Sequence, residues 1–379
     1  MPFLTDRLND VERRRADREA LAADSVGAGA SQASRETVRL QTRYSFDVAD
    51  VMAVVRHEVR GQPEALDAIE RMLKVVRADI ADPRRPPFTA LFLGPTGVGK
   101  TETVRALARG LYSDADAFCR VDMNTLSQEH YAAALTGAPP GYVGAKEGKT
   151  LLDQELIEGQ RGKPGIVLFD EIEKASPEAT QSLLNVFDNG QLTVASGERT
   201  YSFRNTIVIM TSNLGARDIY AHEARGRGRL GYLRRLRRWC GGHKLDVLLR
   251  DRLNAHFSPE FVNRIDNITV YNWIDREMVG ELAGIEIERL NRRLQKHNCR
   301  LLLDDTARQA LAQRGFDRQY GARALRRVIR SEVEVPFADY LLSGGHDPAD
   351  HEGAIATYGV RMRQGAEVEF YRISEQDQE

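Results

Sequence analysis

Apolar and polar positions run along this chain with two distinct periods, and each change of period marks an element. Four short runs, Phe88 to Leu93, Phe118 to Val121, Ile166 to Phe169 and Ile207 to Met210, are apolar and β-prone, the pattern of strands buried on both faces. Elsewhere apolar residues recur at helical spacing: Val104, Leu107 and Leu111 after the first run, and Leu66, Ile69, Leu73, Val76 and Ile80 before it. Asp47 to Val59 predicts a further helix, interrupted by Gly61-Gln62-Pro63, and Pro83, Pro86 and Pro87 are expected to end the one that follows. Short strands separated by helical stretches, each with polar residues at its carboxyl end, predict an α/β fold with a parallel sheet and a site along that edge.

The polar strand ends carry the candidate chemistry. After the first strand, Gly94-Pro95-Thr96-Gly97-Val98-Gly99-Lys100-Thr101 matches G-x-x-x-x-G-K-[ST] between strand and helix, the cradle for a nucleotide's phosphates. Its glycines let backbone N–H groups turn inward, and the helix from Lys100 points its positive end at the anion. Lys100 is expected to reach the β and γ phosphates and the Thr101 hydroxyl to ligate Mg²⁺. The third strand ends at Asp170-Glu171, one carboxylate for the Mg²⁺ shell and the next to orient and polarise the attacking water. Asn213, at the tip of the fourth, is placed to fix that water. Between the second and third strands, residues 137–144 read Gly-Ala-Pro-Pro-Gly-Tyr-Val-Gly, a loop that sets the Tyr142 ring among glycines where it can touch something outside.

Composition narrows the class. The net charge of −1 gives no steering toward nucleic acid or anionic membrane. Cys119, Cys240 and Cys299 are scattered, which suggests neither a zinc site nor a disulfide framework and suits a reducing cytosol. The N-terminus is charged from Asp6 onward, and no apolar run approaches the ~20 residues that cross a bilayer; a soluble, cytoplasmic protein is expected. Residues 1–45 read as a charged helix, with a short Leu4, Leu8, Val11 stripe, followed by a Gly, Ala and Ser-rich linker.

With these residues assembled, the chain resembles the Clp unfoldase family of AAA+ ATPases, specifically the second of their tandem ATPase modules. The resemblance runs from about Phe46 to Arg372 and is carried by residues 137–144, Val-Leu-Phe-Asp-Glu-Ile-Glu-Lys at 167–174, residues 203–214, Pro-Glu-Phe-Val-Asn-Arg-Ile-Asp at 259–266, and residues 315–327. It implies a P-loop ATPase with a parallel-sheet core over residues 46–272, a smaller, mainly α-helical C-terminal subdomain over 273–372 and an acidic, disordered tail over 373–379. The subdomain is expected to include an amphipathic helix bearing Glu286, Arg289, Leu290, Arg293 and Leu294, and a small terminal hairpin with strands near 354–358 and 368–371.

The same resemblance assigns roles. Gly141, Tyr142, Val143 and Gly144 look like the pore loop that grips unfolded polypeptide, and residues 194–199 resemble a second one. Asn213 is similar to the sensor of the γ-phosphate. Arg264 looks like the arginine finger that reaches the ATP of the neighbouring subunit, and Arg323, in Gly321-Ala322-Arg323, resembles the second sensor. A finger acting in trans implies a homo-oligomeric ring, in this family a hexamer, that uses ATP and Mg²⁺ to thread protein substrates. A regulatory ATPase switching one dedicated partner without threading is the alternative; a nucleic-acid motor is disfavoured by the Gly-Tyr-Val-Gly loop.

Two departures from the family stand out. Arg60 occupies a place where the family usually has an aliphatic residue near the adenine. Residues 225–238 hold seven arginines and no acid around Leu230-Gly231-Tyr232, which is similar to the tripeptide by which some members dock a barrel-shaped peptidase. That loop therefore suits a peptidase or adaptor; a solvated insertion or an acidic protein partner ranks above nucleic acid, because the arginines are not interleaved with aromatics.

Overall fold

Five parallel strands form the central sheet, in the order β2-β3-β6-β1-β7: Cys119–Asp122, Gly165–Asp170, Thr206–Ser212, Phe88–Leu93 and Asn267–Val270. The computed structural model describes residues 41–126, 151–193, 200–216, 218–219, 247–317, 321–345, 355–362 and 368–373. β3 and β6 are buried along their whole length. Side chains leave the two faces alternately: Leu91, Leu93, Val167, Phe169, Val208 and Met210 join one core cluster, and Ala90, Phe92, Ile166, Leu168, Ile207 and Ile209 another. Helices covering both faces explain why these strands are apolar throughout instead of every second residue.

The two N-terminal helices form as expected, with one correction. Asp47 caps α1 (Val48–Glu58) by accepting from the Ala49 and Asp50 amides. In α2 (Pro63–Ala78), Leu66, Ile69, Leu73 and Val76 are buried, but Ile80 is 73% exposed and outside the helix. The prolines do not end this helix. Asp79 does, by adopting the left-handed conformation (φ 53°) while its carboxylate is held by the Arg43 guanidinium at 3.0 Å. β7 is a second difference: only four core strands are read from the sequence, and the fifth is a four-residue edge strand directly after the Asn-Arg-Ile-Asp segment. Asp266 anchors it, accepting from the Thr89 amide at 2.8 Å.

A separate apolar cluster fills the C-terminal subdomain. Leu290 and Leu294 of α7 (Arg276–Leu294) pack there with α8 (Asp305–Gly315) and α9 (Ala322–Ile329). The expected hairpin is present as antiparallel β9 (Ala356–Met362) and β10 (Val368–Arg372), but it does not stand alone: β8 (Cys299–Leu303) joins β9 in parallel. A two-stranded ribbon is marginal in water, and the third strand with Phe337 packed on Tyr358 and Phe370 supplies the missing core. Among the described residues no helix is long and apolar enough to cross a membrane. The N-terminal arm, both pore-loop segments, the 225–238 loop and residues 374–379 lie outside the described residues; β4 (Gln191–Thr193) and β5 (Thr200–Ser202) pair antiparallel on either side of residues 194–199.

Candidate functional site

The loop after β1 is shaped by what its backbone must avoid. Gly94 has φ 150°, and a Cβ there would lie 2.5 Å from the Tyr271 carbonyl oxygen, so no larger residue fits between β1 and the end of β7. Gly99, at φ 106°, caps α3 (Lys100–Tyr112) without a side chain, leaving the first-turn N–H groups facing the loop. Tyr271, fully buried, donates to the Thr103 hydroxyl at 3.1 Å and ties α3 to β7. Gln62, 1% exposed, staples the same loop from outside. Its amide donates to the carbonyls of Val98 at 3.3 Å and Asn272 at 2.8 Å and accepts from the Asn272 amide at 2.9 Å.

Lys100 is buried beneath this loop, its Nζ donating to the carbonyls of Gly94 and of Pro95 (3.0 Å) and to Oδ1 of Asn213 (2.8 Å). Burial pushes its ammonium down to about 8, against the opposing pull of Glu173, Asp170 and Glu171. A lysine so placed is held by acceptors that a phosphate group can replace.

At the end of β3 both oxygens of Asp170 are engaged. Oδ1 accepts from the Thr211 hydroxyl at 2.5 Å, and Oδ2 from Nη2 of Arg120 at 2.6 Å. Glu171 follows in the left-handed conformation (φ 57°), its amide donating to Thr211 Oγ1 at 3.0 Å. That turn swings its carboxylate between two amides: Asn124 donates to Oε2 at 2.6 Å, and Asn213 approaches Oε1 at 3.4 Å. A non-glycine residue in this region of backbone space is costly, which marks the turn as one its surroundings impose.

The C-terminal subdomain closes the site from above. The Ala322 amide donates to the Gly97 carbonyl at 3.0 Å, and a Cβ on Gly321 (φ 53°) would sit 2.7 Å from that same oxygen. This contact brings Arg323, exposed, to the rim of a cleft of about 600 Å³ that also takes in Thr96 to Thr101, Asp170, Glu171 and Asn213, a volume suited to a nucleotide. Charged pairs line the other end. Glu58, 5% exposed, accepts from Arg109, while Arg289 pairs with Glu102 and with Glu286, which also holds Arg326 at 2.9 Å. Arg60 is exposed at this end, 4.0 Å from Glu281.

The structure thus brings Lys100, Thr101, Asp170, Glu171, Asn213 and Arg323 to one cleft, with Gly94 and Pro95 as the floor that holds Lys100. Arg264 is not among the residues lining it. It caps α6 (Pro259–Asn263) and forms an ion pair with Asp188, Nε to Oδ1 2.6 Å. Gly141 to Gly144 fall outside the described residues. Sequence reasoning missed Arg120, Asn124 and Thr211, which hold the acidic pair, and Gln62, which holds the loop. The first two carry a signal only in retrospect, as polar residues within β2 and just beyond it. Oxygen donors from Thr101 and Asp170 are the chemistry a hard cation such as Mg²⁺ takes, with water and phosphate completing its shell.

Two family models match the chain: the AAA domain (Cdc48 subfamily) over residues 85–268, and the C-terminal D2-small domain of ClpB protein over residues 274–352. An ATP-dependent protease ATP-binding subunit-like protein AmiB of Pseudomonas aeruginosa is 57% identical over 94% of this chain and 96% of its own length. The chaperone protein ClpB of Rhodopseudomonas palustris is 40% identical over 82% of this chain but only 34% of its own. Among solved structures, the closed state of Hsp104 with ATPyS and FITC casein superposes with a TM-score of 0.68 at 29% identity, over 85% of this chain and 51% of that one. The chain therefore corresponds to about a third to a half of these larger relatives.

Proposed function

The chain belongs to the Clp-type AAA+ ATPases and hydrolyses ATP, and from that premise we propose that it is a protein-remodelling machine whose copies form a ring, six in number, around a central pore. The observation that carries this reading is the placement of Arg264. Among the described residues, the other residues assigned to the nucleotide gather at one cleft or beneath it, whereas Arg264 stands apart from it, as a group does that completes the site of a neighbouring copy. A trans-acting arginine of this kind is worth ~10³ to 10⁵ in rate, so hydrolysis and assembly are coupled.

Within each site, the backbone N–H groups from Thr96 to Thr101 and the Lys100 ammonium hold the phosphates. Thr101 and Asp170 hold Mg²⁺, which supplies neutralisation of the phosphate charge when bound. Glu171 orients and polarises the attacking water, Asn213 and Arg323 sense the γ-phosphate, and Arg264 of the adjacent copy stabilises the developing charge. Work on the substrate falls to the loop Gly141, Tyr142, Val143 and Gly144, with Tyr142 as the gripping ring. The name of the Pseudomonas aeruginosa relative, which speaks of an ATP-dependent protease, supports delivery to a peptidase, for which residues 225–238 are the candidate dock.

The test is ATP-driven unfolding of a stable fluorescent protein with an unstructured tail, followed together with ATP hydrolysis. Threading requires that the parent protein unfold it and that Tyr142→Ala hydrolyse ATP without unfolding. If the parent hydrolyses ATP but unfolds no tagged protein, even with a candidate adaptor, a switch acting on one dedicated partner replaces the threading reading.

A further inference from the structure

The direction in which Arg264 points is set by one acid. Its backbone is fixed first: Arg264 caps the five-residue helix α6, donating its amide to the Phe261 carbonyl at 3.1 Å. The fully buried Phe261 ring packs on Phe187 of α5 (Pro177–Asn189), centroids 5.4 Å apart. That contact positions the Cα but leaves a long side chain with several rotatable bonds still to be ordered.

Three arginines converge on the end of α5. Arg85 donates to the Phe187 carbonyl at 2.8 Å and Arg204 to the Asn189 carbonyl at 3.3 Å, both through Nε, as cations favour the negative end of a helix. The third is Arg264, and it meets the intervening side chain: Nε lies 2.6 Å from Oδ1 of Asp188. Nε is buried without an aligned hydrogen bond, yet the side chain as a whole is 38% exposed. Among the described residues neither terminal nitrogen is hydrogen-bonded. The acid thus neutralises the inner end of the guanidinium, where an unpaired charge would be costly, and leaves the outer fork, the part that matches a phosphate bidentately, unengaged among the described residues.

We propose that Asp188 is the positioning residue for Arg264, holding Nε so that the Nη1/Nη2 fork is presented to the γ-phosphate of ATP bound by a neighbouring copy of this chain. This rests on the reading of Arg264 as a trans-acting finger. It also gives α5 a second task. The helix begins shortly after Glu171, which acts in its own copy's site, and ends at the acid that aims a group into the next copy's site.

The experiment uses the full chain and compares Asp188→Ala, Asp188→Asn, Arg264→Ala and the Asp188→Ala/Arg264→Ala double variant. Steady-state ATPase is read alongside oligomer mass and thermal midpoint. Asp188→Ala is expected to lower kcat roughly 10- to 100-fold, the cost of a misaimed catalytic group, with the KM for ATP and the oligomer mass unchanged. Asp188→Asn, which keeps an acceptor oxygen without the charge, should fall between it and the parent. The double variant should be no slower than Arg264→Ala alone. A parental kcat in Asp188→Ala overturns the proposal, as does a double variant slowed by the product of the two single effects, or a loss in both Asp188 variants that tracks dissociation or unfolding. A parental kcat in Arg264→Ala is a different result: it removes the finger itself.

Discussion

Asn124 and Glu171 meet across the ends of two adjacent parallel strands, the Asn124 amide donating to Oε2 of the carboxylate at 2.6 Å. A carboxylate that accepts such a bond has one acceptor site fewer, and less free charge, with which to polarise water. Hydrogen bonds to charged groups are worth ~1.5 to 3 kcal/mol, so Asn124 restrains the group proposed to polarise the attacking water. Asn124→Ala is expected to raise basal ATP hydrolysis about 3- to 10-fold, since 1.4 kcal/mol is a factor of ten. An unchanged or lower rate, measured with oligomer mass unaltered, would show that Asn124 aligns Glu171 instead of restraining it.

Lys100 gives a pH dependence with a defined sign. Its ordinary value near 10.5 is lowered to about 8 by burial. The folded value lies below the unfolded one, so the unfolded chain binds more protons between those limits. The contribution of this group to stability therefore rises with pH through that window and is lost as pH falls through about 8. Phosphates favour the ammonium and reverse the shift, so ATP binding near pH 8.5 takes up a fraction of a proton. Titration calorimetry in two buffers of different ionisation heat should give different apparent enthalpies at that pH and equal ones near pH 6.5. Equal enthalpies at both would exclude a lysine held near neutrality.

Gly321→Ala tests the seam between the subdomain and the phosphate loop. The new Cβ would meet the Gly97 carbonyl at 2.7 Å, in backbone that already has φ 53°. Neither a loop backbone nor a helix start gives way cheaply. The expected outcome is a loss of ATP affinity of about tenfold or more, consistent with ~1 to 3 kcal/mol of strain, with the Arg323 contribution to hydrolysis lost as well. Binding of a fluorescent ATP analogue at parental affinity would show that the subdomain can close by another path.

Glu58 depends on Arg109. Its side chain is 3% exposed, with Arg292 and Arg289 no nearer than 3.9 and 4.0 Å. Arg109→Ala should cost about 2 to 3 kcal/mol, at or below the lower end for stranding a buried charge because those two arginines remain. Urea unfolding monitored by circular dichroism reads it, and a midpoint within error of the parent would mean that Glu58 is neutralised by its remaining neighbours.

The local grammar of this chain was legible without coordinates. Uninterrupted apolar runs identify strands covered on both faces, and Gly94 to Thr101 identifies the phosphate loop, because backbone sterics at the glycines are a short-range property that short-range sequence encodes. Asp170, Glu171 and Asn213 were readable for the same reason, each standing at the end of such a run. What only the tertiary structure decided lies between segments distant in sequence. Arg120 and Asn124 reach Asp170 and Glu171 because β2 pairs with β3; Gln62 reaches Asn272, 210 residues away; and Asp188 meets Arg264 through the packing of Phe187 on Phe261. β7 and β8 escaped prediction because a short edge strand draws its stability from the partner it pairs with. A sequence declares which groups the chemistry needs, but the groups that aim and restrain them are chosen by packing, and packing joins positions that no spacing along the chain relates.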